Sequence, residues 1–173
     1  MKEYQMKQFD AIQGDITKID VDAIVNAANT TLMGGGGVDD AIHRAAGPGL
    51  YAACLKFHGY PTGEARITSG FNLPANYIIH TPGPIWHGGH NGEPELLANS
   101  YLNSLQFAED DGCHSVAFPS ISTGVYAFPL EKAAKIAVNT IHNFLMDSQV
   151  VDMVMMVCFD PETLAVYQNQ LHL

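Results

Sequence analysis

The chain has 173 residues, a length that suits one domain able to bury roughly 70% of its extended-chain surface without disulfide staples. Eight lysines and arginines stand against eighteen aspartates and glutamates, a formal net charge of −10. That balance argues against general DNA or RNA binding, which needs a basic face. No apolar run approaches the ~20 residues of a membrane span. The N-terminus lacks the apolar core of a signal peptide, so a cytoplasmic location is expected. Three cysteines without a C-x-x-C pair suggest neither a disulfide framework nor a zinc knuckle.

In chain order, weak apolar alternation predicts a strand over 4–13, broken by Gly14-Asp15-Ile16-Thr17. A short apolar run, 21–25, predicts a buried strand that runs into Asn26-Ala-Ala-Asn29. Four glycines follow, Gly34 to Gly37, and a helix is expected over 38–46, with Gly47-Pro48 as its stop signal. A turn that needs one positive φ gains only chain entropy from three further glycines, so something has to approach that backbone closely. Bare N–H groups at a helix N-terminus favour an anion. Asp39 sits where the helix begins, so one segment offers an anion cradle, two amides and a carboxylate. An ordinary glycine turn is the plainer alternative.

Further on, a short helix is expected over 50–57, strands over 64–69 and 77–81, and a glycine- and histidine-rich surface loop over 82–92. Pro94 opens a helix on which Leu97, Tyr101, Leu105 and Ala108 recur at helical spacing. A buried strand at 115–118 leads into Ser120-Ile-Ser-Thr-Gly-Val-Tyr-Ala-Phe128. Pro129 opens a long helix, 150–159 reads as a strand buried on both faces, and 161–171 as a closing helix. Alternating strands and helices predict an α/β domain with a mainly parallel sheet, whose ligands bind beyond the carboxyl ends of strands.

Familiar fingerprints are absent. A dinucleotide motif would need a third glycine where Gly34-Gly-Gly-Gly37 runs into Val38-Asp39, and a P-loop would need Gly-Lys-Ser/Thr after the glycines. Ser122 lacks the preceding glycine of a nucleophile elbow. Between Ile67 and Glu131 there is no lysine or arginine, so a phosphate bound there would be neutralised by backbone donors and helix ends. Two glycine and hydroxyl loops at neighbouring strand ends could hold a pyrophosphate; a pair of ordinary strand-to-helix turns is the alternative. His87-Gly-Gly-His90 brings two imidazoles together without the third and fourth ligands of a metal centre, so no metal is expected.

In combination, Gln13-Gly-Asp-Ile-Thr17, Val25-Asn-Ala-Ala-Asn29, Leu32-Met-Gly-Gly-Gly-Gly-Val-Asp39, Ala41-Ile-His-Arg-Ala-Ala-Gly47, His80-Thr81 and Ile121-Ser-Thr-Gly-Val-Tyr126 closely resemble the macrodomain family, in its MacroD-type branch. The resemblance spans essentially the whole chain. It implies a single macrodomain over residues 1–173, a three-layer α/β/α domain with a mixed, mainly parallel central sheet. It further implies binding of ADP-ribose and its esters, mono-ADP-ribosylated proteins among them, with no cofactor. Carried over by residue, Asp15 would accept from the adenine amino group and the Ile16 backbone would contact the ring; a cap after Gly14 is the plainer role for Asp15. Asn29 and Asp39 would lie at the distal ribose, with loop contacts from Gly37 and Val38. Ser122, Thr123, Gly124, Val125 and Tyr126 would wrap the pyrophosphate. Phe159 would stack on adenine, with a core aromatic as the equal alternative. Asn26 is expected to be a scaffold residue bonded to neighbouring backbone, and His43 a structural one.

The implied reaction is hydrolysis of an ester on the distal ribose, either of O-acetyl-ADP-ribose or of ADP-ribose joined to a protein carboxylate. Asn29 would hold ribose hydroxyls and Asp39 would orient or deprotonate water. A carboxylate at a helix N-terminus is stabilised as the anion and is the weaker base for it, so positioning of water competes with proton abstraction as its role. A non-catalytic ADP-ribose reader is the alternative. A monomer is expected.

Overall fold

The computed structural model describes residues 7–29 and 37–173. Gly34, Gly35 and Gly36, central to the sequence reading, lie outside the described residues, as does the N-terminal part of the first expected strand.

Six strands form one sheet: β1 (Gln8–Gln13), β2 (Ala23–Ala28), β3 (Arg66–Ser69), β4 (Tyr77–Pro82), β5 (Ser115–Phe118) and β6 (Met153–Cys158). Their order is β1-β6-β5-β2-β4-β3. All neighbours are parallel except β3, which pairs antiparallel with β4 at one edge. The helices are α1 (Gly37–Ala46), α2 (Pro48–Leu55), α3 (Glu93–Asp110), α4 (Leu130–Asp147) and α5 (Pro161–Leu171). None of these is long and apolar enough to cross a membrane.

Side chains alternate across the sheet, as a strand's period of two requires. On one face Val25, Ile79, Val116, Phe118, Val154 and Met156 pack with Leu97, Tyr101 and Leu105 of α3, Ala137 and Ile141 of α4, and Tyr167 of α5. On the other face Ile24, Ile78, Ala117 and Val157 meet Ile42 and Ala46 of α1 and Leu50 and Cys54 of α2. The result is the expected three-layer α/β/α sandwich with a mixed, mainly parallel sheet. From β2 the chain passes through α1 and α2 to β3 and β4 on one side; α3 then carries it back to β5 on β2's other side. The loops leaving β2 and β5 therefore feed helices on opposite faces. Such a switch point opens a crevice at the carboxyl ends of the sheet.

Several boundaries differ from the sequence reading. β2 runs on to Ala28, so Asn26 is a strand residue facing inward and not the first residue of a loop. Its alternation continues through the asparagine because the amide has buried partners. α2 starts at Pro48, two residues early: proline suits the first turn, and Gly47, at φ +91°, turns the chain between α1 and α2. α3 starts at Glu93, ahead of Pro94. β6 is shorter than its apolar run, because 150–152 approach the sheet before entering it. A 3-10 turn at Ile16–Lys18, capped by Asp15, follows β1 where only a break was read.

Candidate functional site

The parallel register fixes what meets at the sheet's carboxyl edge. Gln13 of β1 pairs with Cys158 of β6, and the Gly14 N–H donates to the Cys158 carbonyl at 3.0 Å. This brings Asp15 and Ile16 beside Phe159, residues far apart in the chain. Asp15 caps the 3-10 turn: its Oδ1 accepts from the Thr17 N–H at 3.0 Å and from the Thr17 hydroxyl at 2.6 Å. The hydroxyl contact leads in holding the Asp15 carboxyl below its usual range, and both bonds fall on Oδ1, which leaves Oδ2 for a ligand. Ile16 is buried with its neighbour Thr17. Phe159 is 86% exposed, so the core-aromatic alternative does not hold.

The loop after β5 is held from below. The Tyr101 hydroxyl donates to the Pro119 carbonyl and accepts from the Ile121 N–H at 3.1 Å. Tyr167 OH lies 2.8 Å from Ser120 Oγ, to which the Thr123 hydroxyl also donates. Ser122 has φ +66°, an uncommon conformation for a residue with a side chain, and Ala127 has φ +61°. The Ala127 and Phe128 N–H groups close the loop on the carbonyls of Gly124 and Ser122. The N–H groups of Ser122, Thr123, Gly124, Val125 and Tyr126 donate to no described residue. Five consecutive donors without a partner among the described residues, with Val125 fully open to solvent at 99%, form a backbone nest suited to an anion. Gly83 makes room: a Cβ there would sit 2.3 Å from Ser122 Oγ.

The third part follows β2. Gly37, at φ +64°, opens α1, and Val38 and Asp39 form its first turn. Asp39 is 3% exposed. Its Oδ1 accepts from Asn26 Nδ2 at 2.8 Å, while Oδ2 accepts from no described residue although it is buried. The Asn26 amide also donates to His80 Nδ1 at 3.1 Å, which fixes the tautomer: Nε2 carries the proton and faces Thr68 Oγ1 at 2.9 Å. Thr68 in turn donates to the Ser69 carbonyl. Asn26 is therefore a scaffold residue of a different kind from the one expected. Its amide bonds two side chains and not neighbouring backbone, because β2 and β4 set Asn26 directly beside His80. Burial lowers the His80 imidazole to about 3, outweighing the pull of Asp39, so the ring stays neutral. His43, one turn along α1, places Nε2 3.4 Å from Asp39 Oδ1. Sequence reasoning missed the relay Thr68–His80–Asn26–Asp39; polar side chains in the middle of β2 and β4 were its only trace. Asn29 lies just past the end of β2, half-buried, and is already engaged with other residues of the chain.

Elsewhere, burial pushes the thiols of Cys54, Cys113 and Cys158 up to about 11, so none is a thiolate near neutrality. The histidine loop is organised by Glu93, whose carboxylate accepts from the N–H groups of His87, Gly89 and Asn91. Burial raises its pKa, but these donors win and hold it at about 2. Among the described residues no three His, Cys, Asp or Glu side chains converge as a metal centre would require.

The family profile of the Macro domain matches residues 25–137, the segment that carries β2, α1, β4 and the loop after β5. The chain belongs to the Macro domain family. It is 58% identical over 167 residues to a Macro domain-containing protein of Lactiplantibacillus plantarum, covering 96% of this chain and 97% of that one. It is 54% identical to an O-acetyl-ADP-ribose deacetylase of Klebsiella pneumoniae, covering 95% and 96%. Among solved structures, an Oceanobacillus iheyensis macrodomain with ADPR, a glycine-to-valine mutant, superposes with a TM-score of 0.92 at 46% identity, covering 99% of this macrodomain and 96% of that chain. The same Oceanobacillus macrodomain has been solved with an aspartate and with an asparagine ten positions before it each changed to alanine.

Proposed function

We propose that this macrodomain hydrolyses esters on the distal ribose of ADP-ribose: O-acetyl-ADP-ribose to ADP-ribose and acetate, and mono-ADP-ribose esters of aspartate and glutamate side chains. The observation that carries the reading is Asp39. Its carboxylate is buried at a helix N-terminus, tied by one oxygen and, among the described residues, unpaired at the other. A buried unpaired polar atom costs about 1–3 kcal/mol, and such atoms gather where function requires them. Likeness to the deacetylase and to the ADPR-bound macrodomain supports the substrate class. So does the ten-residue spacing of Asn29 and Asp39, which is that of the asparagine and aspartate altered in the Oceanobacillus protein.

In this reading the strand order reads out the ligand. Asp15, Ile16 and Phe159 beyond β1 and β6 receive adenine. Ser122 to Tyr126 beyond β5 donate five N–H groups to the diphosphate. Gly37, Val38, Asn29 and Asp39 beyond β2 meet the distal ribose. Three inter-strand steps of about 4.8 Å span about 14 Å, the scale of an extended dinucleotide. Asp39 Oδ2 holds a water against the ester carbonyl. Water oxygen bonds to the acyl carbon, the bond from that carbon to the ribose oxygen breaks, and the water's proton passes to the departing ribose oxygen, which leaves as the sugar hydroxyl. The relay behind Oδ1 keeps the carboxylate from turning away. All 173 residues act as one macrodomain, since β1 and α5 complete the sheet and core around the profile-matched segment.

Incubation with O-acetyl-ADP-ribose and an assay of free acetate tests the reading. Turnover is expected from the native chain, and Asp39→Ala is expected to lose about 10²–10⁴ of it while still binding ADP-ribose. Binding without acetate release would make the chain a reader. Equal turnover by the two proteins would remove Asp39 from the mechanism.

A further inference from the structure

A second concavity lies next to the loop after β5. It is an open groove of about 390 Å³ between the 83–92 loop, the start of α3 and the first turns of α4. That is within the size range of ligand sites. Trp86, Pro94 and Ile136 give it apolar walls, with the buried Phe128 ring beneath Trp86; Lys132, Lys135 and His90 give it polarity. The Trp86 and Phe128 rings pack at 4.7 Å, and Lys132 Nζ lies 5.7 Å from the Trp86 ring centre.

Charge makes the groove unusual. In a chain of net charge −10, Lys132 and Lys135 are the only lysines or arginines from residue 67 to the C-terminus, and both line it. They sit three apart on α4, so they share a face. Among the described residues neither forms a salt bridge, and no aspartate or glutamate lines the groove. Glu131 is exposed beside them, and the nearby Glu93 carboxylate is consumed by the N–H groups that shape the loop. The groove is also joined to the candidate site: the Trp86 N–H donates to the Tyr126 carbonyl at 2.9 Å.

We propose that this groove docks an acidic stretch of polypeptide flanking an ADP-ribosylated aspartate or glutamate, apolar side chains against Trp86, Pro94 and Ile136 and carboxylates against Lys132 and Lys135. It rests on the protein-linked arm of the ester-hydrolase reading and supplies its substrate preference: modified residues in acidic, partly apolar surroundings. Two ammonium groups set among apolar walls match a chain that alternates acidic and apolar side chains better than they match a lone anion.

Trp86 is the chain's single tryptophan, so its fluorescence reports on this groove. The test titrates the full chain with a capped octapeptide alternating glutamate with leucine or alanine, with a lysine-for-glutamate counterpart as control. A saturable change is expected with the acidic peptide alone, weakened by added salt. The double variant Lys132→Gln, Lys135→Gln is expected to bind it about tenfold less tightly, with its circular dichroism and acetate release from O-acetyl-ADP-ribose unchanged. No saturable change, equal affinity in the double variant, or the same change with inorganic phosphate would each overturn the proposal. Absence of acetate release from the native chain would bring down the hydrolase reading instead, without altering what the peptide titration says of the groove.

Discussion

Asp39 has one oxygen held by Asn26 and one that meets no donor among the described residues. Asn26→Ala removes the donor to Asp39 and to His80 at once, and leaves the carboxylate free to swing. Acetate release should fall roughly tenfold to a hundredfold, with ADP-ribose affinity by calorimetry little changed, because the loss is in orientation. A fall in affinity matching the fall in rate would make Asn26 a ligand contact instead. His80 gives the same network a pH signature. Unfolded, the imidazole takes up a proton below about 6.5; folded, it stays neutral down to about 3. Over that window the unfolded state binds the extra proton, so stability is present above about 6.5 and lost as pH falls, by at most about 1.4 kcal/mol per pH unit. Urea unfolding at pH 6.5 and pH 5 should therefore show the native chain losing up to about 2 kcal/mol more than His80→Gln, the carboxylates cancelling in the difference. These residues were legible only in part. Asp39 stood out because a carboxylate follows the glycines. The relay did not, because the pairing of Asn26 with His80 depends on β2 lying beside β4, which no local pattern states.

At the scale of elements, the loop after β5 owes its shape to side chains from helices distant in sequence. Tyr101→Phe leaves the Ile121 N–H unpaired in the core. The expected cost is about 1–3 kcal/mol in urea unfolding, with weaker ADP-ribose binding from a loosened nest. Unchanged affinity at reduced stability would separate the loop from its support. The helices were readable from period and punctuation: Leu97, Tyr101, Leu105 and Ala108 are all fully buried on α3, and Pro161 starts α5 behind an Asp160 cap that accepts from the Thr163 N–H at 2.7 Å. Strand ends were less so. β2 hides polar residues inside an apparently ended apolar run, and β6 is preceded by Val150 and Val151, which extend its apolar run without belonging to the strand. The antiparallel placement of β3 follows from the turn at Gly70, whose N–H donates to the Asn76 carbonyl at 2.8 Å.

Across the whole molecule, sheet order converts separated motifs into one edge. Asp15 and Phe159 lie at opposite ends of the chain and meet because β1 and β6 are neighbours; the loops after β5 and β2 continue the row. The sequence motifs name these parts, but only topology puts them in line. A ligand that spans the row should bind the folded state alone. ADP-ribose at a hundred times its Kd should add about 2.7 kcal/mol, which raises Tm by roughly 5–10 °C for a chain of this size. Adenosine, which reaches only one end, should do far less at the same concentration. The most direct measurement is an amide chemical-shift titration with ADP-ribose. Saturable shifts are expected at Ile16, at Gly37 to Asp39 and, largest, at the N–H groups of residues 122–126, which would acquire phosphate acceptors. Shifts confined to other parts of the chain, or none at all, would contradict a diphosphate held by main-chain donors at this edge.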